Sequence, residues 1–343
     1  MPIIGIDLGK HSFRAVELDR KKDELSLLNL GTYQNPRLNL DSNMKEDIEI
    51  YSSALRDFFS EVGFDTSSVV ASLNESYVYM RNIKLPTMSD KELKSTIQFE
   101  AEQYIPLPLS EVSLSYQVLD QDFTEKGKVN VQLVAAKKTV LEKYVQIVKG
   151  ARLTPKAIEP ETLALGRALG DTQTNPNGSL ILDIGFSRTL IVISYGGFVR
   201  FTRSVLIGGD VLTKSIQQGL NLDNAQADEY KKIYGMDPNQ VDGKIFDVLK
   251  PVIDNIIIEV KRASLFFTNH NPSANIKRVI LSGGTAQMPG LLLYMAKNID
   301  LEVELANSFK NLHISPKLVT QKNTIQDQSL IYSTAVGLAL KEV

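Results

Sequence analysis

Cysteine is absent from this chain, which removes disulfide frameworks and thiolate metal sites together. Only three histidines occur, His11, His270 and His313, too scattered to suggest a histidine metal cluster. A reducing compartment suits such a composition. Charge of one sign is also lacking: 38 Lys and Arg against 40 Asp and Glu leave a formal net charge of −2 and a pI of about 6.0. No basic field is available to hold a nucleic-acid backbone or an anionic membrane surface, so no nucleic-acid partner is expected. Long apolar runs are wanting too. Met1 is not followed by a basic n-region and an unbroken apolar stretch, because Asp7 and Lys10 interrupt it, and no secretory leader is expected. The most apolar span, Ser179 to Val199, carries Asp183 and Arg188 and is too broken for a membrane helix. Contact with a membrane is expected through a partner.

What is present suffices for two domains: 343 residues, 43% of them hydrophobic, exceed what one core accommodates. Pro2 to Gly9 reads as a strand, Phe13 to Leu18 as its return strand, and Leu25 to Leu30 as a third. Ser179 to Gly185 followed by Thr189 to Ser194 repeats this arrangement. Asp7-Leu8-Gly9 and Asp183-Ile184-Gly185 lie 176 residues apart, about half the chain, as in a duplicated domain. Asp171 to Ser179 is crowded with turn formers and lacks apolar residues, which marks an interdomain connector. Ile83 to Pro155 reads as a module inserted in the first half. Ser89 with Glu92 forms a capping box ahead of Leu93, Ile97 and Ala101. Strands Val112 to Leu119 and Val129 to Ala136 then flank a polar turn, Asp122 to Lys128. A second capping box, Thr139 with Glu142, opens a helix to about Gly150, completing a helix, strand, strand, helix unit. In the second half, Asp210 to Leu220, Asp223 to Tyr234 and Gly243 to His270 read as helices. A strand, Lys277 to Leu281, and a closing helix near Ser329 to Lys341 follow.

An Asp that ends a buried strand before Gly and a hairpin can hold a phosphate with its metal. Glycine permits close backbone approach, turn amides point at phosphate oxygens, and the carboxylate holds magnesium through its water shell. Asp7, Gly9, Ser12 and Arg14 supply one such loop, and Asp183, Gly185, Ser187 and Thr189 another. A lone Asp-x-Gly is an ordinary turn; the repetition, with a third glycine-rich element, points to a polyphosphate clamped between two loops. That third element is Ser282-Gly283-Gly284, at the end of a strand and the start of a helix. Its bare backbone can lie against a base or ribose, or serve only as a packing turn.

These three elements in this order resemble the phosphate 1, phosphate 2 and adenosine motifs of the actin, sugar kinase and heat-shock chaperone superfamily. The resemblance implies an α/β fold: a duplicated ribonuclease-H-like, actin-like ATPase fold whose two domains surround a nucleotide cleft, with a small α+β subdomain inserted in the first. It implies ATP or ADP with Mg2+ as cofactors. Arg14 would contact phosphate, Thr189 falls on the phosphate 2 threonine, and Asp7 and Asp183 would hold magnesium through water. Gly208 and Gly209 suit a turn at the cleft margin. Glu259 and Arg262, one helical turn apart, resemble the charged pair that grips adenosine, although such pairs also occur as plain surface contacts. Glu159, within Ile158 to Glu161, would orient an attacking water or else cap a surface helix. The expected division places 1–82, 156–178 and 328–343 in the first domain, 83–155 in the insert, 179–210 and 275–327 in the second domain, and 211–274 in a helical subdomain.

The insert identifies the branch. Gln98 to Pro108, with Val112 and Tyr116 to Leu119, resembles the signature of the PilM family of type IV pilus assembly proteins, as do Leu133 to Lys137, Lys149 to Pro155 and Ala335 to Leu340. Where that family usually has small hydroxyl residues after the first Asp-x-Gly, this chain has Lys10 and His11 and keeps Ser12; they are an exposed hairpin tip or a phosphate contact. Arg14 replaces the more usual lysine, which keeps the charge and changes the geometry. The resemblance implies a cytoplasmic ATP-binding scaffold, with weak or no turnover, beneath the inner membrane. It would dock the extended N-terminal segment of a PilN-type membrane protein between the first subdomain and the insert, and meet other pilus-machine components including motor ATPases; self-association stays open. Leu85, Pro86, Tyr104, Ile105 and Pro106 are the candidate groove residues, with local packing as the competing role. Two other readings compete. A small-molecule kinase needs an acceptor-facing base, and none is distinct. An FtsA-like filament protein generally ends in a basic amphipathic membrane helix, whereas Ser329 to Val343 carries Lys341 as its one basic residue.

Overall fold

The structure is a computed structural model that describes residues 1–21, 24–35, 38–119, 127–170, 177–272 and 274–342, with backbone alone for 319–324. Its contacts form two units, Met1–Glu161 with Leu338–Val343, and Thr162–Gly337.

In the first unit, β1 (Ile3–Leu8), β2 (Ser12–Lys21) and β3 (Glu24–Gln34) form an antiparallel meander. Helix α1 (Lys45–Val62) carries the chain over to β4 (Ser68–Leu73), which pairs parallel to β1. A crossover of this kind is how parallel neighbours are joined. Gly63 ends α1 by adopting φ 71 while its N–H bonds the Phe59 carbonyl. The insert follows as β5 (Val78–Pro86), α2 (Asp90–Tyr104), β6 (Val112–Leu119) and β7 (Lys128–Lys137). The chain then returns through α3 (Lys138–Gly150) to β8 (Thr154–Pro160), parallel to β4. Ile4, Ile6, Phe13, Val69 and Ala71 of the sheet are buried against Leu55 and Phe58 of α1 and Tyr144, Ile147 and Val148 of α3.

The insert has its own core. Its antiparallel sheet runs in the order β5-β7-β6, and Ile83, Leu85, Val131 and Leu133 meet Leu93, Ile97 and Ala101 of α2. Both arms of the Ser89–Glu92 capping box form. Two expectations are corrected. Helix α3 does not close the insert but packs beside α1 on the first sheet, so the inserted unit is strand, helix, strand, strand. Helical period reveals an apolar face but not which sheet it covers. The Thr139–Glu142 box does not form, because β7 runs straight into α3 and Lys137 takes the cap position without a side-chain bond. Residues 122–126 of the expected polar turn lie outside the described residues.

In the second unit, α4 (Glu161–Leu169) precedes β9 (Asn177–Ile184), β10 (Thr189–Tyr195) and β11 (Phe198–Val205), again an antiparallel meander. Helices α5 (Gly209–Leu220), α6 (Asn224–Ile233) and α7 (Lys244–His270) lead to β12 (Asn275–Ser282), parallel to β9. Then come α8 (Leu291–Asn298), β13 (Glu302–Leu305), α9 (Lys322–Asp327) and α10 (Ser333–Ala339). Ile245, Leu249, Ile253, Ile256, Val260 and Ala263 recur at three- and four-residue spacing and give α7 its buried face. The chain passes between units at Glu161 and Thr162, ahead of the expected connector, of which 171–176 lie outside the described residues. Asn177 to Ser179 belong to β9.

The duplication holds in register. The order β3-β2-β1-β4-β8 in one unit corresponds to β11-β10-β9-β12-β13 in the other. Asp7 pairs across to Arg14 and Asp183 to Leu190, seven residues on in both cases. The turns match as well: Gly9 N donates to Ser12 O at 2.8 Å, and Gly185 N to Arg188 O at 2.9 Å.

Gly337 of α10 lies against α4 so closely that a Cβ would press on the Ala164 carbonyl, a backbone atom that cannot swing away. Gly337→Ala is expected to lower stability by about 2–3 kcal/mol through overpacking, read as a lower urea midpoint at unchanged slope.

Candidate functional site

The candidate site of the first unit is built at the end of β1. Asp7 accepts from Ser72 Oγ of β4 at 3.1 Å and lies 3.8 Å from the Arg14 guanidinium on β2. Burial pushes the Asp7 carboxyl above its usual range, with Arg14 and the Ser72 hydrogen bond pulling the other way. Ser72 Oγ also accepts from Leu8 N at 2.7 Å, so one hydroxyl holds both the strand end and its carboxylate. The next turn requires glycine, because a Cβ on Gly9 would stand 2.9 Å from the Ser12 carbonyl oxygen. Tyr51 of α1 donates to the Gly9 carbonyl at 2.8 Å. Arg14 Nε is buried and has no hydrogen-bond partner among the described residues, an uncommon condition for a charged donor. The hairpin tip is tied down: Lys10 pairs with Asp41 at 3.1 Å, and His11 Nδ1 donates to the Leu38 carbonyl at 2.7 Å.

The matching turn of the second unit repeats the backbone with other chemistry. Asp183, next to last in β9, is half-buried beside the Gly185 turn and Ser187. Thr189, expected at a phosphate, is fully buried and donates to the Ile207 carbonyl at 2.7 Å; it braces the Gly208–Gly209 turn instead. Gly208 and Gly209 are packed on that hairpin, Gly209 N donating to Gly185 O and Asp210 N to Phe186 O, both at 2.9 Å. Ser282 is likewise interior, its hydroxyl bonded to the Leu330 carbonyl at 3.0 Å. Gly283 takes φ 86 against the Ile184 backbone, whereas a Cβ on Gly284 would meet nothing within 4 Å. Neither packing nor backbone conformation demands glycine at 284, so open space there is what a flat ligand could use.

Glu259 is engaged by Arg262 at 2.8 Å and by Arg203 of β11, which ties α7 to the sheet edge. Sequence reasoning missed Lys231 of α6. Its buried ammonium reaches Thr213 Oγ at 2.6 Å, Asp228 at 2.7 Å and the Gly209 carbonyl at 3.0 Å. The available signal was Asp228 with Lys231 and Lys232 at i+3 and i+4, but helical spacing alone does not reveal that this face meets the Gly208–Gly209 turn.

Glu159 neither caps a surface helix nor stands free: it is buried on β8, and Lys341 donates to it at 2.7 Å. Of the expected groove residues, Leu85 and Ile105 are in the insert's core, while Pro86, Tyr104 and Pro106 are exposed. A separate cavity of about 620 Å³ has a lining that includes Asn43, Tyr77, Tyr79, Thr139, Lys143 and Gln146. Lys143 lies at its wall, donating to the carbonyls of Leu40 at 2.8 Å and Ser42 at 3.3 Å.

Residues 5–343 match the family model described as type IV pilus assembly protein PilM. The chain belongs to the PilM family. It is therefore a type IV pilus assembly protein with an actin-like fold. A solved PilM-PilN type IV pilus biogenesis complex superposes with a TM-score of 0.84 at 24% identity, over 98% of this chain and 97% of that one. EutJ of Carboxydothermus hydrogenoformans superposes at 0.59 with 16% identity, covering 99% and 89%. Cell division protein FtsA of Bacillus subtilis strain 168 is 22% identical over 259 residues; the match takes in 68% of this chain and 58% of FtsA. No helix among the described residues of this PilM-family chain is long and apolar enough to cross a membrane.

The Asp7 turn suits a magnesium-bound polyphosphate. Its charged donor Arg14 Nε is unsatisfied, its carboxylate is desolvated, and its turn admits close approach. No cluster of three metal-ligating side chains occurs among the described residues.

Burial opposes ionisation of Asp228, but hydrogen bonds from Lys231 and Lys232 outweigh it and hold the carboxyl at about 2. With the folded value below that of the unfolded chain, about 3.9, this group stabilises the fold above pH ~4 and ceases to as pH falls through ~2. Asp228→Asn should therefore lower the thermal midpoint at pH 7 and leave it nearly unchanged at pH 2, measured by circular dichroism.

Proposed function

We propose that this PilM-family chain is an ATP-binding scaffold on the cytoplasmic side of the inner membrane that docks the N-terminal segment of a PilN-type membrane protein. The observation that carries the nucleotide reading is the unsatisfied Arg14 Nε beside the buried Asp7 carboxylate. A nucleotide phosphate would satisfy the guanidinium, and its magnesium would offset the burial of the carboxylate. In this reading Asp7 holds the metal through water, and Gly9, Lys10, Ser12 and Arg14 receive the phosphates in the first unit. Asp183, Gly185 and Ser187 are the equivalent candidates in the second unit. Gly208, Gly209, Gly284 and Arg262 border the nucleoside, with Lys231 bracing the turn. The four-part division into two actin-like domains, insert and helical subdomain belongs to the same proposal.

Docking is supported by the cleft between α3 and the insert sheet, which offers tyrosines, amides and the Lys143 ammonium to an extended segment. The solved relative contains PilM with PilN. Glu159, the candidate for orienting water, is buried and engaged by Lys341, which favours a nucleotide-biased switch with little turnover over a small-molecule kinase.

Calorimetry should show Mg-ATP binding to the wild type and a loss of at least about 30-fold, roughly 2 kcal/mol, in Asp7→Asn. The same variant should have a higher thermal midpoint without ligand, since it removes a desolvated charge. Unchanged ATP affinity would refute the site. Gly284→Val should leave the unfolding free energy from urea titration within about 0.5 kcal/mol of the wild type while weakening ATP binding. A peptide copying the N-terminal cytoplasmic segment of a PilN-type protein should bind the wild type and be lost from Lys143→Glu; equal binding to both would refute the docking cleft.

A further inference from the structure

Asp41 touches both places that the proposed function uses. Its Oδ2 pairs with Lys10 Nζ at 3.1 Å, at the tip of the first glycine turn. Its Oδ1 accepts from Tyr77 Oη at 3.3 Å, in the wall of the docking cleft. The segment around it is fastened in the same two directions. The Leu38 carbonyl accepts from His11 beside Lys10, while the carbonyls of Leu40 and Ser42 accept from Lys143 in the cleft. Leu38 and Leu40 are themselves buried in the first core, so residues 38–42 form a strap with fixed roots, a glycine turn at one side and a peptide-sized cavity at the other.

From this geometry we infer that Asp41 is the positioning residue that couples nucleotide binding at the Gly9 turn to partner docking in the Tyr77–Lys143 cleft. This rests on the proposed function. The Lys10–Asp41 pair is nearly half exposed on both sides, and such pairs are weak. A polyphosphate at the turn carries several negative charges and takes Lys10 from Asp41 readily. The released carboxylate then faces Tyr77 and Lys143, whose ammonium lies over the Tyr77 ring, 5.6 Å from its centre. Burial already lowers the pKa of Lys143 and the charge of Asp41 raises it, so the lysine senses where that carboxylate points. A ligand at either place thus alters the charge and the hydrogen bonding at the other, and the effect must be reciprocal.

The experiment measures affinity for Mg-AMPPNP, and for a peptide copying the N-terminal cytoplasmic segment of a PilN-type protein, each alone and with the other at saturation. In the wild-type chain each ligand should change the affinity of the other by the same factor, about 5-fold or more. Asp41→Asn keeps an acceptor for Tyr77 but lacks the charge that holds Lys10; Tyr77→Phe keeps the ion pair but lacks the hydroxyl. Both should reduce the factor to within about 2-fold, and Asp41→Asn should still bind Mg-AMPPNP. Tyr77→Phe, the milder change, carries the test if Asp41→Asn does not fold. A wild-type factor retained in the variants, or a wild-type chain that binds both ligands without mutual effect, overturns the coupling and leaves the proposed function standing. A wild-type chain that fails to bind one of the two ligands overturns both.

Discussion

Ending a core strand on an ionisable carboxylate is costly, because burial disfavours the charged form. The sheet of the first unit is arranged around that difficulty at Asp7. Parallel pairing of β4 with β1 brings the Ser72 hydroxyl to the strand end, antiparallel pairing of β2 sets Arg14 across from it, and α1 delivers Tyr51 to the carbonyl of Gly9. These partners leave the carboxyl above its ordinary range and one guanidinium nitrogen unsatisfied. Such residual strain in charge is characteristic of functional sites rather than of cores tuned for stability alone.

The second unit reuses the backbone and changes the chemistry. Leu190 stands where Arg14 stands in the first, so no cation comes from the return strand. Positive charge arrives from α6, as Lys231, and it grips the Gly209 carbonyl and Thr213. Thr189 and Ser282 turn their hydroxyls inward to hold Ile207 and Leu330. A hairpin that keeps its turn geometry can therefore exchange almost every polar side chain around it, provided that the buried hydroxyls find other acceptors.

Helix α3 joins the two kinds of architecture in the first unit. One face, with Tyr144, Ile147 and Val148, completes the core beneath β1 and β4; another, with Thr139, Lys143 and Gln146, lines the cleft beside the insert. Membership of the PilM family gives the insert its context. The cleft sits where the strap at 38–42, the insert's strands and α3 converge. The cavity and the glycine turn consequently share the same supporting segment.

Local chemistry carried much of this into the sequence. Glycine in a turn that returns on itself, aspartate at the end of an apolar strand, and their recurrence 176 residues later are features of near neighbours in the chain, and they were sufficient to reveal the duplication and both turns. The Ser89 capping box was legible for the same reason. Whether a hydroxyl faces a ligand or a carbonyl, as at Thr189 and Ser282, depends on segments far away in sequence. So do the sheet that α3 covers, the Lys341 partner of Glu159, the burial of Leu85 and Ile105, and the placing of Lys231 and Asp41. Periodicity reports which residues share a face; only packing between distant segments decides what that face meets, because burial and hydrogen-bond satisfaction are settled by the whole fold.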